Sequence, residues 1–351
     1  MTSLPVLCLD TVTPRDIPLP LPLPAWLLLG LLVFSFLLHI LFVNLMLGGS
    51  ILTLWLEWRG RREKALDTLA REIARTVTVN KSLAVVLGVA PLLSINVFYT
   101  LYFYSANILT ARAWILVIPL VASAFLLLYL HKYSWDRLAG RKTLHLAILG
   151  GAVLIFLCVP LIFLTNINLM QFPLRWKEVH GFLTALVMRN VIPRYLHFLT
   201  ASLAVSGLFL FGWMRRRAYP FAERLPDLDR HRVLKGFYQL AFFATLAQLA
   251  MGPLNLFTLP WFAVTWTMVG HILAGLALAL SALYLLWSEI KGPPERLGRR
   301  FVPIVLILTF TVMFMGVGRQ IYRATALAPH QQAVQESTRQ YEESLQQLPK
   351  P

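Results

Sequence analysis

The chain has 351 residues, 58% of them hydrophobic and 14% charged, with 32 Lys and Arg against 16 Asp and Glu for a formal net charge of +16. A soluble protein carries roughly 45–50% apolar and about 25% charged residues; this composition, with a mean hydropathy of +0.66, excludes a soluble globular enzyme, a disordered chain and a nucleic-acid binder. Two cysteines, Cys8 and Cys158, cannot build a disulfide framework and stand in no CxxC or CxxCH, which excludes covalent c-type haem and thiolate zinc.

Residues 1–24 are Pro-rich and lack the basic start and short apolar core of a secretion signal, so they read as an exterior segment of the mature chain. A bilayer core about 30 Å thick needs about 20 apolar residues per helix. Eight runs meet that length, near 25–57, 83–106, 113–133, 143–165, 195–213, 236–258, 263–288 and 301–318. The first is long enough to tilt or to project beyond the membrane. Residues 64–80 are amphipathic and are expected to lie on the inner membrane surface. Segments 59–82, 132–142, 214–235 and 289–300 hold seven, four, seven and four Lys or Arg, all on one side if the spans alternate. The excess of Lys and Arg in short cytoplasmic loops then places both termini outside. The fold class is an all-α polytopic membrane bundle of about eight helices. It divides into an exterior segment 1–24, a membrane domain 25–322 and an exterior polar tail 323–351. Gly48-Gly49-Ser50 and Gly150-Gly151 fall within helices and are expected to serve close helix packing.

Titratable groups in hydrocarbon are costly and rare, so each is a functional hypothesis. His131 and His145 fall at inner helix ends and read as interfacial; His231, His330 and His180 fall in loops or connections. His39, His197 and His271 remain inside spans. A buried imidazole needs a partner for each nitrogen, and ligating a metal through one while donating from the other meets that need. Three such histidines with almost no carboxylate beside them favour haem over simple hydrogen bonding. His197 and Met268 lie at similar depth near the exterior, and a His–Met pair from two helices makes a low-spin haem site with a raised potential. His271, three residues from Met268, is a rival ligand.

At these residues the sequence resembles subunit I of the cytochrome bd quinol oxidases. H-I-L-F-V-N-L-M-L-G at 39–48 is similar to the family's H-x-L-F-V-x-L-x-L-G. W-D-R-L at 135–138 and M-Q-F-P at 170–173 resemble the family's W-D-R-L and M-Q-N-P. R-Y-L-H-F-L-T-A-S at 194–202 resembles the stretch carrying its low-spin haem histidine, and T-M-V-G at 267–270 the stretch carrying the methionine partner. G-R-Q at 318–320 resembles the start of its G-R-Q-P-W. The match covers about 25–322. It implies a helical bundle with haems near the exterior face, His197 and Met268 as axial ligands of a low-spin haem b, and His39 as a ligand of a second, high-spin haem (b or d). Arg319 and Gln320 would sit near haem propionates, in keeping with charge-assisted hydrogen bonds from Arg to carboxylates.

The departures matter as much. Two glutamates of the family's third span fall on Leu116 and Ala124, and a third falls on Gly316. The exterior quinol loop shrinks to about 259–262, and a ninth span is absent. Oxygen reduction consumes protons and needs a relay that the third span lacks. The leading expectation is therefore a b-haem subunit of a respiratory electron-transfer complex in a bacterial-type inner membrane, working with other membrane subunits and a quinone or periplasmic cytochrome c. A genuine quinol-oxidising, oxygen-reducing subunit and a haem-free scaffold or transporter subunit stand as alternatives.

Overall fold

The structure is a computed structural model that describes residues 21–346, with the side chains of 78–82 and 345 outside that description. Most of segment 1–24 and the last residues of the polar tail therefore lie outside the described residues. Within these limits the chain is helical and has no strand. Its helices are α1 (Ala25–Gly60), α2 (Lys64–Phe98), α3 (Thr100–Leu109), α4 (Ala111–Ser134), α5 (Lys142–Met170), α6 (Phe182–Leu186), α7 (Val191–Met214), α8 (Phe221–Arg224), α9 (Arg230–Phe257), α10 (Trp266–Lys291) and α11 (Phe301–Gln346).

Seven helices, namely α1, α4, α5, α7, α9, α10 and α11, are long and apolar enough to cross a membrane; Leu83–Phe98 with Thr100–Leu109 makes an eighth if that bent pair is one span. Their outward faces carry Phe34, Val86, Ile118, Leu154 and Leu306 in exposed positions. Such faces are stable against lipid, where each helix must satisfy its own backbone hydrogen bonds. The chain is a transmembrane helical bundle.

Two elements differ from the sequence expectation. Residues 64–80 do not form a separate surface helix but begin α2, which runs straight into the apolar stretch. Leu69, Ile73 and Val77 are buried in the main core instead of facing headgroups. At 36 residues α1 is about 54 Å long, longer than the bilayer core, and α2 pairs with it along its length. A Cβ on Gly49 would sit 2.4 Å from Val77 Cγ2, and one on Gly60 would sit 2.7 Å from the Asp67 amide nitrogen. The second difference is the 108° bend between α2 and α3. No Pro or Gly stands at the break, so its cause is tertiary: Tyr99, at φ −126° and ψ 37°, buries its ring and takes a 2.6 Å hydrogen bond from Gln320 Nε2.

The Gly48 expectation holds at the crossing of α1 and α7. A Cβ there would lie 2.2 Å from the Ser202 carbonyl oxygen, while Ser206 Oγ donates to the Asn44 carbonyl at 3.3 Å. At Gly150 the expectation fails, because nothing lies within 4 Å of a Cβ built there. Gly48→Ala is accordingly expected to lower stability by about 1–3 kcal/mol through overpacking, read as a lower thermal midpoint in detergent. Gly150→Ala is the matched control and should leave the midpoint unchanged.

At the basic end, Glu289 ties the last crossing to its predecessor. Its carboxylate accepts from the Gly298 amide at 2.7 Å and the Arg300 amide at 2.5 Å, satisfying donors that the start of α11 would otherwise leave free. Glu72 gathers Arg75 (2.6 Å), Arg224 (2.9 Å) and the Tyr219 hydroxyl (3.3 Å). Burial and the adjacent Glu72 charge push the Tyr219 hydroxyl up to about 12, so it serves there as a donor.

Candidate functional site

At the end of the bundle opposite the basic loops, the first turns of α7 and α10 meet α11. Asn190, just before α7, has a left-handed backbone (φ 73°), a conformation that Asn tolerates better than most residues. Its side-chain nitrogen lies 2.6 Å from Asn255 Oδ1 and 2.9 Å from Thr258 Oγ1, joining α7 to the end of α9. Asn190 Oδ1 in turn accepts from Arg194 Nη2 at 2.6 Å. Arg194 Nη1 is buried without a hydrogen-bond partner.

One turn further along α7, the His197 ring has its Nδ1 buried and unpartnered. The Arg319 guanidinium of α11 is close enough to act on it electrostatically. Arg194 and Arg323 act on Arg319 in the same way. Arg319 Nε and Arg323 Nε are likewise buried without partners. Three guanidinium groups thus act on one another, with Arg319 also acting on the imidazole, and among the described residues none of the three forms an ion pair with a carboxylate.

Met268 lies against the same turn of α11. The Thr265 hydroxyl accepts from the Met268 amide at 3.2 Å and starts α10 there. The thioether is buried in a small cluster with Ala263, Tyr322 and Ala326, flanked by Phe172 of the M-Q-F-P stretch. Gly318 lets the two helices close: a Cβ there would stand 3.3 Å from His271 Cβ and 3.5 Å from the Met268 carbonyl oxygen. His271 donates from Nδ1 to the Thr267 carbonyl at 2.8 Å, which leaves Nε2 as its ligand atom. Gln320 faces elsewhere. Its amide donates to Tyr99 and its oxygen accepts from Arg323 Nη1 at 3.2 Å, with the Arg323 guanidinium 5.4 Å from the Tyr99 ring centre. Gln320 therefore orients Arg323.

His39 sits at the α1–α2 interface. Its ring lies over Gly88, where a Cβ would come within 2.9 Å of Cε1, and reaches the Ala84 backbone. Its Nδ1 is buried without a partner. The structure thus brings Arg319 to His197, and Met268 and His271 to the adjoining residues of α11, while His39 stands on a different pair of helices. Sequence reading missed Arg194 and Arg323. Their signal was their spacing, one turn from His197 and one turn from Arg319.

The opposite, basic end holds a second cluster. Glu57 of α1, His131 of α4 and His145 of α5 are 0%, 1% and 0% exposed. His131 Nε2 lies 2.7 Å from Glu57 Oε2, and His145 Nδ1 contacts Glu57 Oε1. His145 Nε2 donates to the His131 carbonyl at 2.8 Å. The rings stack at 4.0 Å, and Trp135 closes edge-on against both at 5.0 and 4.8 Å. Lys142 Nζ rests 4.5 Å from the Trp135 ring centre, 2.6 Å from Asp67 and 3.5 Å from Glu57. Asp136 binds Arg71 at 2.5 Å, and that hydrogen bond holds its carboxyl below the usual range. His131 and His145 do stand near the basic ends of α4 and α5, but they are enclosed by protein instead of open to headgroups, and both face Glu57.

No protein-family model matches this sequence, and no curated protein matches it.

Proposed function

We propose that the chain is a b-haem-binding subunit of a membrane electron-transfer complex, resembling subunit I of the cytochrome bd quinol oxidases, in a bacterial-type inner membrane with both termini exterior. What supports this reading is the group of Arg194, Arg319 and Arg323, with Arg319 next to His197, and four buried nitrogens lacking partners among them. Like charges held away from water repel, and a buried donor without an acceptor loses the free energy of its missing hydrogen bond. A dianionic edge next to a metal that takes an imidazole answers both demands, and haem with its two propionates has that chemistry. The residues fit it.

In this assignment His197 and Met268 hold the iron of a low-spin haem, with His271 as the rival to Met268. His39 holds a second, high-spin haem. Arg194, Arg319 and Arg323 bind propionate oxygens by charge-assisted hydrogen bonds, and Gln320 orients Arg323. Bound haem supplies reversible one-electron exchange, at a potential that a thioether ligand raises. The protein's part is to fix the ligands and keep water away. The cluster of Ala263, Tyr322, Ala326 and Phe172 supplies an apolar wall around Met268. The other membrane subunits and a quinone or exterior cytochrome c would complete the path. Proton supply to an oxygen-reducing iron has little support: Leu116 is 53% exposed on the lipid-facing side and Ala124 is packed in the core.

A pyridine haemochrome assay on the purified complex tests the proposal. The expected result is at least one b-type haem per chain. A protein without Soret absorbance after haem-replete expression would overturn it in favour of a scaffold or transporter subunit. A d-type band with quinol-driven oxygen uptake would move it to the oxidase.

A further inference from the structure

The cluster at the basic end is separate from the haem assignment, since Glu57 follows His39 by 18 residues of one helix, about 27 Å at 1.5 Å per residue. One ligand atom each from Glu57, His131 and His145 lies within 4.8 Å of the others, in a site closed to solvent. We infer that these three residues bind a divalent transition-metal ion of borderline softness, of the Zn(II) or Co(II) class.

His145 Nε2 faces the His131 carbonyl, which can only accept, so Nε2 carries hydrogen. Nδ1 of the neutral ring is then a lone pair, and it faces a carboxylate oxygen that is also a lone pair. Something positive must lie between them. His131 Nε2 points at the other oxygen of the same carboxylate. Protons could fill both gaps, with hydrogen on His131 Nε2 and an imidazolium at His145; a single metal ion serves both nitrogens and the carboxylate together.

The surroundings match those of metal ligands. The Nε2–H to carbonyl bond fixes the His145 tautomer and aims Nδ1 inward, as outer hydrogen bonds do for ligating histidines. Trp135 covers the imidazoles. Asp67 holds Lys142 at 2.6 Å, closer than the 3.5 Å to Glu57, so the ammonium belongs mainly to Asp67. Two imidazoles and one carboxylate suit Zn(II) and its neighbours, with a further position left for water. Donors on a tetrahedral ion with bonds of about 2.0–2.1 Å stand roughly 3.3 Å apart, so binding requires the three ligand atoms, now within 4.8 Å of one another, to readjust by up to about 1.5 Å.

The test uses the full chain in detergent, without a polyhistidine tag, stripped by chelator and dialysed against Co(II). Uptake is measured by elemental analysis and ligation by X-ray absorption at the cobalt edge, to which haem iron does not contribute. The expected result is one cobalt per chain with two imidazole ligands, and affinity at least tenfold weaker in Glu57→Gln and His145→Gln. Wild-type protein that takes up no stoichiometric cobalt, cobalt with fewer than two imidazoles, or uptake unaltered in both variants would each overturn the inference. The ligation measurement on wild type decides it even if a variant fails to fold.

Discussion

His197→Ala is expected to abolish the low-spin b-haem signal while the protein still inserts and purifies as a monodisperse species. The imidazole is the one titratable ring within reach of Arg319 on α7, and its Nδ1 has no protein partner to lose. Deleting it removes a ligand without stranding another group. Helix α7 should hold, because its packing rests lower down, where Gly48 meets Ser202 and a Cβ on Gly207 would stand 2.7 Å from the Phe237 carbonyl oxygen. The readouts are the reduced-minus-oxidised difference spectrum and haem content per chain. An unchanged spectrum would remove His197 from the assignment and leave the three arginines binding some other anion. Met268→His separates the two rivals on α10: replacing thioether by imidazole lowers the midpoint potential if Met268 is the ligand. An unchanged potential would transfer the role to His271.

The reach of sequence reading follows from what each signal depends on. Helix number and the alternation of basic loops depend on local composition, and all seven straight spans stand near the positions that hydropathy marks. Proximity across helices depends on packing, which hydropathy does not encode. Arg319 beside His197 was anticipated only through the resemblance; Arg194 and Arg323 were overlooked because an arginine near a helix end usually reads as a lipid anchor. The bend at Tyr99 has no local breaker, and the residues that hold it, Gln320 and Arg323, come more than 200 positions later. Glu57 was missed for a related reason. It occupies the last turn of a long apolar helix, where a carboxylate reads as solvated. The clue was depth: Glu57, His131 and His145 all fall at the basic ends of α1, α4 and α5, and so at one level of the bundle.

Charge explains why the two ends of the bundle behave differently. At the end opposite the basic loops cations gather without an anion among the described residues, and an added dianionic group would stabilise the arrangement. At the basic end an anion is already present, and its two imidazoles compete for whatever positive particle it holds. A chain built this way keeps these two clusters of ionisable groups apart, with the close, uncharged crossing of Gly48 and Ser202 between them. Changes in one cluster should therefore leave the other cluster's readout in place, because contacts this far apart contribute additively.

That separation makes Glu57→Ala informative. The substitution removes the acceptor that faces His131 Nε2, His145 Nδ1 and Lys142 Nζ at once, in a site that Trp135 seals from water. Breaking a buried charged pair on one side costs about 3–5 kcal/mol, so a large fall in the thermal midpoint is expected, with the haem content of the surviving folded protein unchanged. Asp136→Ala should have little effect, because its carboxylate is exposed and water replaces Arg71 as a partner. Glu57→Gln divides the remaining possibilities. A glutamine can accept from His131 Nε2–H through its oxygen and donate to the His145 Nδ1 lone pair through its nitrogen. It restores both imidazole hydrogen bonds without the charge and gives up only the 3.5 Å contact with Lys142, which Asp67 still holds, so its midpoint should lie nearer wild type than that of Glu57→Ala when no metal is present. A Glu57→Gln protein as unstable as Glu57→Ala would mean that the ionic charge, and not the hydrogen-bond pattern, holds α1, α4 and α5 together at this end.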